Sequence, residues 1–307
     1  MLSLLNSMPG AVAQGLIWGI MAIGLYITYK VLDVADLTVD GTLCTGGAVC
    51  VMMMLSGHGV GVSMLVAFIA GMCAGLVTGV FHTVMGIPAI LAGILTQLSL
   101  YSVNLKIMGK ANQALNVRNY DLLVSMQYNR NANPLNNTIF IVIIFTVVLI
   151  AVLYWFFGTE AGSGIRATGC NENMSRAQGI NTNLNKVIGL VLSNGIVALS
   201  GSLLAQYQGF ADVQMGRGAI VIGLAAVIIG EAIFGKVFRS FALHLVSVTL
   251  GAIIYYIVYQ VVIWRGIDPD LLKMLSAIVV AVFLAVPYIR TTYFARPANR
   301  KGGGGDA

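Results

Sequence analysis

The chain has 307 residues, of which 58% are hydrophobic and only 9% are charged. Soluble globular domains carry nearer to a quarter charged residues, so this composition excludes a soluble domain and indicates an all-α polytopic membrane protein. The formal net charge of +6 fits loops that face anionic lipid. No basic run interleaved with aromatic residues points to nucleic acid as a partner. At about 20 residues for each span, the length admits roughly eight to ten spans.

Nine apolar stretches are predicted to enter or cross the membrane. In chain order they are residues 11–29, 43–55, 60–81, 87–105, 139–157, 187–207, 219–234, 241–264 and 271–289. The second is either a short helix or a broken one, and the seventh is also short and contains Glu231. Closely spaced small residues, as in Ala70–Gly75, let helix backbones approach one another and predict a compact bundle. We therefore expect one transmembrane domain over residues 1–290, followed by a basic, glycine-rich tail over 291–307.

The arginines and lysines predict the orientation of the spans. If the polar segment between the fifth and sixth spans is cytoplasmic, ten cationic residues lie inside and seven lie outside. The excess is modest, because the link 106–137 contributes four of the outer cations. It agrees with the positive-inside rule and predicts an external N-terminus and a cytoplasmic C-terminus and tail.

The polar segment 160–186 interrupts an otherwise apolar chain and contains the pattern of a short helix. Asn171 is a predicted N-cap, because its side chain can accept a hydrogen bond from the first turn. Glu172 would lie in that first turn and Arg176 near the end, where each charge favours the helix dipole. The segment is therefore predicted to hold a short, capped helix between two spans.

Two glycines, Gly169 and Gly179, bracket this short helix and limit it to about two turns. Within it, Met174, Ala177 and Ile180 recur every three residues and form a short, partly apolar stripe. Such a helix would fit a groove on another protein. The alternative is an ordinary solvated loop.

An internal repeat is indicated by the segments that follow the first and the sixth spans. Each has a Leu- and Tyr-rich helix end followed by Asp and Gly: Asp36 with Gly41, and Asp212 with Gly216 and Gly218. With five spans between them, the two copies would run in opposite directions through the bilayer. Inverted repeats with broken helices mark the solute path in many transporters. The alternative is that these residues only cap helices at the membrane boundary.

Polar residues inside the spans and at these two breaks are candidates for a translocation path. The predicted path residues are Asp36, Asp40, Gly41, Gln97, Asn104, Asn194, Asp212 and Gly216. Polar side chains within spans also join helices by hydrogen bonds, and periodicity does not separate the two roles. Glu231 would either face a cavity or a partner, or lie near the cytoplasmic end with Lys236 and water.

No motif of a hydrolytic or metal enzyme is present in the sequence. There is no GxxxxGK[ST] phosphate-binding loop, so the chain is not expected to hydrolyse ATP in the usual manner. GxSxG, HExxH and CxxC are also absent, and the four cysteines and three histidines show no metal-ligand spacing. We therefore expect a non-catalytic protein that binds no metal or cofactor.

The segment GIRATGCNENMSRAQGINTN resembles the cytoplasmic loop of permeases of ATP-binding-cassette (ABC) importers of the branched-chain amino acid and ribose class. The matching positions are Arg166, Ala167, Gly169, Asn171, Ala177, Gly179 and Ile180. The stretch DLTVDGT is similar to an Asp-Leu-Ser-Val-Gly stretch of ribose-type permeases, from which Asp40 departs by standing where that class has Gly. The stretches around Gln97 and Asp212 resemble a branch associated with aromatic amino acid (tryptophan or tyrosine) uptake.

The resemblance implies a vitamin B12-type (type II) importer permease in the bacterial plasma membrane. Its expected partners are two cytoplasmic ATPase subunits that bind ATP and Mg, an external substrate-binding lipoprotein, and a second permease copy in a homodimer. Segment 160–186 would be the coupling loop. By this resemblance the ATPase-coupling residues are Arg166, Gly169, Asn171, Glu172, Arg176, Ala177, Gly179 and Ile180. The solute would be small and polar, an amino acid, and aromatic in the branch named above.

Two other classes of function stay open at this point. One is a secondary transporter driven by protons or sodium, with Asp36, Asp40, Asp212 and Glu231 as coupling acids. The other is a membrane scaffold or receptor subunit without transport. Co-purification with an ATPase would distinguish the ABC permease from both.

Overall fold

The computed structural model describes residues 2–116, 120, 122–127, 137–235, 237–238 and 240–265, with single positions between 274 and 285. Ten α-helices lie within these ranges: Leu2–Tyr26 (α1), Val39–Leu55 (α2), Val60–Thr83 (α3), Ala89–Met108 (α4), Thr138–Gly158 (α5), Glu160–Cys170 (α6), Glu172–Ala177 (α7), Thr182–Gln208 (α8), Ala219–Phe234 (α9) and Phe241–Trp264 (α10). Two short strands, Asn112–Ala114 (β1) and Phe210–Asp212 (β2), pair antiparallel.

Six of the described helices are long and apolar enough to cross a membrane, namely α1, α3, α4, α5, α8 and α10. Two shorter apolar helices, α2 and α9, correspond to the second and seventh predicted spans. The second span is therefore one continuous short helix. The ninth predicted span, 271–289, and the tail 291–307 lie outside the described residues apart from single positions of the span.

Helices α1 and α8 form the centre of the bundle. In the most apolar 18-residue stretch of each helix, 83% of α1 and 72% of α8 is buried inside the bundle, compared with 22% of α5. The mean hydropathy of the α5 stretch is the highest of the six, at 3.0, as expected for a helix that faces lipid on most sides. The central helix α8 is less apolar because serine, asparagine and glutamine side chains are buried along it.

Helices α1 and α8 pack antiparallel, as hydrogen bonds between them show. Ser193 donates a hydrogen bond to the carbonyl of Gly24 (2.7 Å), and Ser200 donates to that of Ile17 (2.7 Å). These two serines, which lie two turns apart, therefore join side chains of α8 to the backbone of α1. Hydrogen bonds of this kind hold membrane helices together, at about 0.6 kcal/mol each.

Each of these two central helices is followed by a break and then by a short helix. After α1 a π-helical turn, Ile27–Val31, leads into a non-helical segment that ends at Thr38. After α8, Gly209 adopts a left-handed conformation (φ 77°), and β2 and a series of turns lead to α9. Because α1 and α8 are antiparallel, the two units run in opposite directions, in agreement with the predicted inverted repeat.

Glycines allow α2 and α8 to pack backbone to backbone. A Cβ atom added at Gly46 would overlap the carbonyl of Ala198, and one added at Gly201 would overlap the carbonyl of Leu43. Each helix therefore places a glycine against the backbone of the other. This close approach is the one that the dense small residues of the sequence predict.

The packing predicts opposite effects for the same substitution at two helical glycines. Gly46→Ala should lower the melting temperature of the detergent-purified protein, because overpacking a close contact costs ~1–3 kcal/mol. Gly61→Ala in α3 is the matched control, since nothing lies within 4 Å of the added Cβ. It should be neutral or slightly stabilising, because alanine is the better helix former. Equal melting temperatures for the two variants would contradict the packing described here.

Candidate functional site

The polar segment 160–186 contains the predicted capped helix. The Asn171 side chain accepts a hydrogen bond from the Met174 amide (3.0 Å), and α7 begins at the next residue, Glu172. The helix has six residues and ends just before Gly179, which has φ 82°. Since only glycine adopts that conformation at little cost, Gly179 ends the helix as expected. The predicted cap, length and C-terminal glycine are confirmed.

Gly169 and Gly179 bracket α7 as predicted, but Gly169 does not belong to a loop. Gly169 lies inside a further helix, α6, which the sequence did not predict because its glycines and charges resemble a loop. Thr159 caps α6, and Ile165 is buried against the bundle. Gly169 is needed for a different reason, since a Cβ at this position would overlap the carbonyl of Val31. It brings α6 into direct contact with the end of the first span.

Two cations on either side of Glu172 fix α7 to the start of α8. Its Oε1 accepts from Arg176 Nη2 (2.7 Å), and its Oε2 accepts from Lys186 Nζ (2.8 Å). Arg176 Nε also donates to the hydroxyl of Thr182 (2.8 Å). The hydrogen bond from Lys186 is the largest cause that holds the pKa of Glu172 below its ordinary value. Glu172 and Arg176 therefore hold the loop in shape as well as favouring the helix dipole.

Three of the remaining predicted coupling residues, Arg166, Ala177 and Gly179, are exposed, and so is Met174 of the apolar stripe. The exposed fraction of Met174 is 59%. Arg166 lies on α6, while Ile180 is partly buried. Helix α7 therefore presents a mixed apolar and polar face that a partner protein can reach, at the end of the bundle where α8 begins.

A second site lies at the other half of the bundle, in a cavity of about 370 Å³ between α2, α4 and the turns before α9. The residues that line this cavity are Asp40, Gly41, Cys44, Gln97, Leu98, Tyr101, Asn104, Val213 and Arg217. Four of the eight predicted path residues, Asp40, Gly41, Gln97 and Asn104, are among them. We refer to this space as the α2–α4 cavity.

Asp40 joins the two breaks at the edge of the α2–α4 cavity. It lies in the first turn of α2, and its carboxylate accepts hydrogen bonds from the amides of Gly218 and Ile220 (both 3.0 Å). These amides are at the N-terminus of α9, so Asp40 caps a helix of the opposite repeat unit. Gly216 packs against the backbone carbonyl of Asp40, and its amide donates a hydrogen bond to Cys44 Sγ (3.1 Å). The two short helices thus begin at a common point.

Asn104 is fully buried in the wall of the α2–α4 cavity. Its Nδ2 donates to the carbonyl of Gly41 (3.4 Å), whereas its Oδ1 has no hydrogen-bond partner. A buried acceptor without a partner costs ~1–3 kcal/mol. In this structure Oδ1 is itself inaccessible to solvent.

The predicted path residues Asp36 and Asn194 lie together, but in an enclosed site apart from this cavity. Asn194 Nδ2 donates to Asp36 Oδ2 (2.7 Å), and Thr42 donates to Asn194 Oδ1 (2.7 Å). Thr38 continues the network through its hydroxyl to Thr78 (2.7 Å). All five side chains are buried. In this structure Asp36 and Asn194 join the first break to α2, α3 and α8.

The last predicted path residue, Asp212, lies in the strand pair. Its Oδ1 accepts from the Gln214 amide (2.6 Å), and its Oδ2 accepts from Asn112 Nδ2 (3.3 Å). Asn112 is also its partner in the register of β1 and β2. Asp212 therefore shapes the turn that leads towards Arg217 and does not line the α2–α4 cavity.

Glu231, for which the sequence left two alternatives, forms an ion pair with Lys30 (3.3 Å). Lys30 lies in the π-helical turn at the end of α1, and both side chains retain contact with solvent. Lys236, the cation predicted to be near Glu231, is outside the described residues. The pair joins the ends of α1 and α9 on the side of segment 160–186.

Five residues that line the α2–α4 cavity were not predicted from the sequence, namely Cys44, Leu98, Tyr101, Val213 and Arg217. Gln97, Tyr101 and Asn104 are spaced i, i+4 and i+7 on α4, so they share one face of the helix. That spacing was available in the sequence. Arg217 could be counted only as an external charge, since its position depends on how the second break folds. Among the described residues no group of three or more His, Cys, Asp or Glu could hold a metal ion.

Comparison with known proteins identifies the family. Residues 8–287 match the family model described as the permease component of the branched-chain amino acid transport system. The chain therefore belongs to the branched-chain amino acid and ribose-type family of ABC permeases. It is a multi-pass membrane protein for transport of an amino-acid- or sugar-type solute, as the sequence resemblance implied.

Three relatives illustrate the range of the family. A tyrosine transport system permease protein of Clostridioides difficile is 36% identical over 281 residues, which cover 92% of this chain and 91% of the relative. An uncharacterized protein of Rickettsia prowazekii is 33% identical, covering 92% and 98%. The autoinducer 2 import system permease protein of Yersinia pestis is 30% identical, covering 69% and 58%. No solved structure matches the chain.

The ion pairs of Glu172 predict how the loop responds to pH. The pKa of Glu172 is lower in the folded protein than its ordinary value of 4.5. Its ion pairs therefore stabilise the loop fully above pH 4.5, and this stabilisation is lost as the pH falls through the pKa of the folded state. Glu172→Gln should speed amide exchange in residues 173–181 about two- to fivefold at pH 7, as expected for partly exposed pairs of ~0.5–1 kcal/mol.

Exchange should be followed by mass spectrometry, corrected for the intrinsic effect of pH. In the unsubstituted protein the same amides should lose protection only below pH 4.5, the ordinary value for Glu. Glu160→Gln is the control, because Glu160 is exposed and has no ion pair within the described part of the chain. Similar exchange in both variants would show that Glu172 does not hold the loop.

Proposed function

We propose that this chain is the permease subunit of an ABC importer that moves an amino acid into the cell. The observation that carries the proposal is a rigidly anchored helix, α7, whose outer face is exposed at one end of the bundle. ATP and Mg would bind to two separate ATPase subunits, and α7 would lie in a groove on one of them. A binding lipoprotein outside the cell would deliver the solute.

The assembly we propose follows the type II importers that the sequence resembles. Two copies of the chain form the membrane part, each with nine spans if residues 271–289 add the last one. The N-terminus lies outside, and segment 160–186 and the C-terminal tail lie in the cytoplasm. Amino acid transport is supported by the name of the tyrosine transport relative.

The contacts of Gly169 supply a route by which movement of the loop reaches the membrane. Gly169 packs against the Val31 carbonyl at the end of the first span. The next residue, Leu32, is 2% exposed and packs against Gly189 of α8. A shift of α6 and α7 by the ATPase would therefore displace the break before α2, and with it one wall of the α2–α4 cavity. Coupling requires such a two-state element that both sites influence.

The environment of the acidic residues does not favour an ion-coupled secondary transporter. Asp36 binds Asn194, Asp40 caps α9, and Asp212 shapes a turn. Glu231 is paired with Lys30. Each acid that such a transporter would need for proton or sodium coupling thus already has a structural partner.

The proposal predicts that the exposed face of α7 couples ATP hydrolysis to uptake. The structure guides the choice of substitution, because Arg176 is tied to Glu172 and Gly179 has a positive φ, so changes there would also distort the loop. Met174→Glu changes only an exposed side chain. It should leave membrane insertion intact and reduce ATP-dependent uptake at least about tenfold, since a buried unpaired charge in the interface costs more than 1.4 kcal/mol.

Met126→Glu is the matched control, because Met126 is also 59% exposed and precedes α5, at the opposite end of that helix from the coupling loop. Uptake of labelled amino acid into proteoliposomes that hold the whole complex should be measured with and without ATP, together with co-purification of the ATPase. Equal uptake by both variants would remove the coupling role. Uptake by the isolated chain without an ATPase would overturn the proposed function.

A further inference from the structure

A cavity of about 430 Å³ lies at the junction of α5 and α6, beside the start of α10. Its lining includes Tyr154, Trp155, Phe157, Thr159, Arg166 and Phe241. We propose that this space, the α5–α6 cavity, binds the headgroup of an anionic phospholipid. The proposal requires only that the chain is embedded in a membrane, so it does not rest on the proposed function.

The first argument is the depth of the cavity in the bilayer. Helix α5 has 21 residues, and at about 1.5 Å for each residue it spans ~30 Å, the thickness of the hydrocarbon core. Tyr154 and Trp155 lie near its end and are 58% and 72% exposed. Exposed tyrosine and tryptophan side chains at the end of an apolar span are typical of the headgroup level. The α5–α6 cavity therefore lies at the depth of the lipid phosphates.

The second argument is the charge of Arg166. Among the described residues that line the cavity it is the one with a charged side chain. Arg166 is exposed and forms no ion pair with another residue of the described part of the chain. A guanidinium group binds a phosphate through two parallel hydrogen bonds. With no acid beside it in this lining, Arg166 favours an anionic ligand.

The start of helix α6 adds positive potential at the same place. Thr159 caps α6, and Arg166 follows seven residues later on the same face of the helix. The positive end of the helix dipole and the guanidinium group therefore lie on one side of the cavity. Glu160, in the first turn of α6, offsets part of this potential but is not among the lining residues.

The aromatic residues of the cavity fit the remaining parts of a phospholipid headgroup. The hydroxyl of Tyr154 and the indole N–H of Trp155 are donors for phosphate or ester oxygens, and their rings provide apolar surface. Phe157 and Phe241 pack with their ring centroids 4.8 Å apart and form an apolar base beneath them. Polar donors and apolar surface are thus combined, as binding at a membrane interface requires.

The surface of α5 next to the cavity suits the acyl chains of the same lipid. Ile144, Val148 and Ala151 are exposed and are spaced i, i+4 and i+7, in line with Trp155 at i+11. Acyl chains of a lipid held at Arg166 would lie along this apolar stripe. A free phosphate ion would contact Arg166 but would leave the stripe unused, so the stripe favours a lipid.

The inference gives Arg166 a role other than the contact with an ATPase that the sequence resemblance implied. Bound to a lipid phosphate, Arg166 would hold α6 at the membrane surface. Basic sites of this kind, between the ends of membrane helices, bind anionic headgroups in other membrane proteins. The ammonium group of choline also binds to aromatic rings, so phosphatidylcholine is the lipid against which the preference must be measured.

Trp155 provides a fluorescent reporter inside the proposed site. The full chain is reconstituted in nanodiscs with equal amounts of phosphatidylglycerol and phosphatidylcholine, of which only one carries bromine atoms on its acyl chains. Bromine quenches tryptophan on contact, so the two series give the relative binding of the two lipids next to Trp155. Parallel samples with Trp155→Phe correct for the other two tryptophans, Trp18 and Trp264.

Phosphatidylglycerol should be preferred over phosphatidylcholine at Trp155 by about fivefold, the effect expected of one arginine near an anionic headgroup. Arg166→Gln should abolish the preference, and it should fold, because Arg166 is exposed. Lys106→Gln is the charge-matched control, since Lys106 is exposed near the end of α4 and does not line the cavity. It should leave the preference unchanged.

Three outcomes would overturn the inference. The first is equal quenching by the two brominated lipids in the unsubstituted protein. The second is a preference for phosphatidylglycerol that persists in Arg166→Gln, which would mean that the charge of the whole protein attracts the lipid. The third is loss of the preference in sodium phosphate but not in sodium chloride of the same ionic strength, which would indicate a site for a free anion.

Discussion

The buried hydrogen bond between Asp36 and Asn194 is the interaction on which the arrangement of the bundle depends. It places a carboxylate in the interior, where the cost is acceptable only if the group is fully hydrogen-bonded. The Thr38 amide and Asn194 Nδ2 each occupy one carboxylate oxygen. The chain before α2 is thereby held against the middle of α8. As a consequence α2 begins inside the bundle, where Val39 and Gly41 are buried.

The same geometry relates the two candidate sites to each other. At one end, Gly169 joins the exposed loop to the last turn of the first span, and the Lys30–Glu231 pair joins the ends of α1 and α9. Further into the bundle, Asp40 joins the beginnings of α2 and α9. Both repeat units are therefore connected to each other at two levels. The loop and the α2–α4 cavity are thus linked through covalent and hydrogen-bonded neighbours.

Much of the fold could be predicted from the sequence because hydropathy in a membrane chain is nearly a direct measure of topology. Eight of the nine predicted stretches coincide with described helices, and the cap at Asn171 and the glycine at 179 set the bounds of α7 as expected. Helix α6 was not predicted, because the sequence does not distinguish glycines that allow close helix packing from glycines that belong to a loop. The roles of the polar residues were also undecided, since a hydrogen bond between helices and a wall of a cavity need the same residue types.

The sequence alone determined the membrane class, the order of the spans, the family and the capped helix between the fifth and sixth spans. These depend on local composition and on spacing along the chain, which are visible in one dimension. Only the tertiary structure decided that Asp36 and Asn194 are bonded to each other, that Asp40 caps the helix of the opposite unit, and that Tyr101 and Arg217 meet at one cavity. The physical reason is that each of these relations joins residues whose distance is set by the packing of antiparallel helices, and no local pattern encodes that distance.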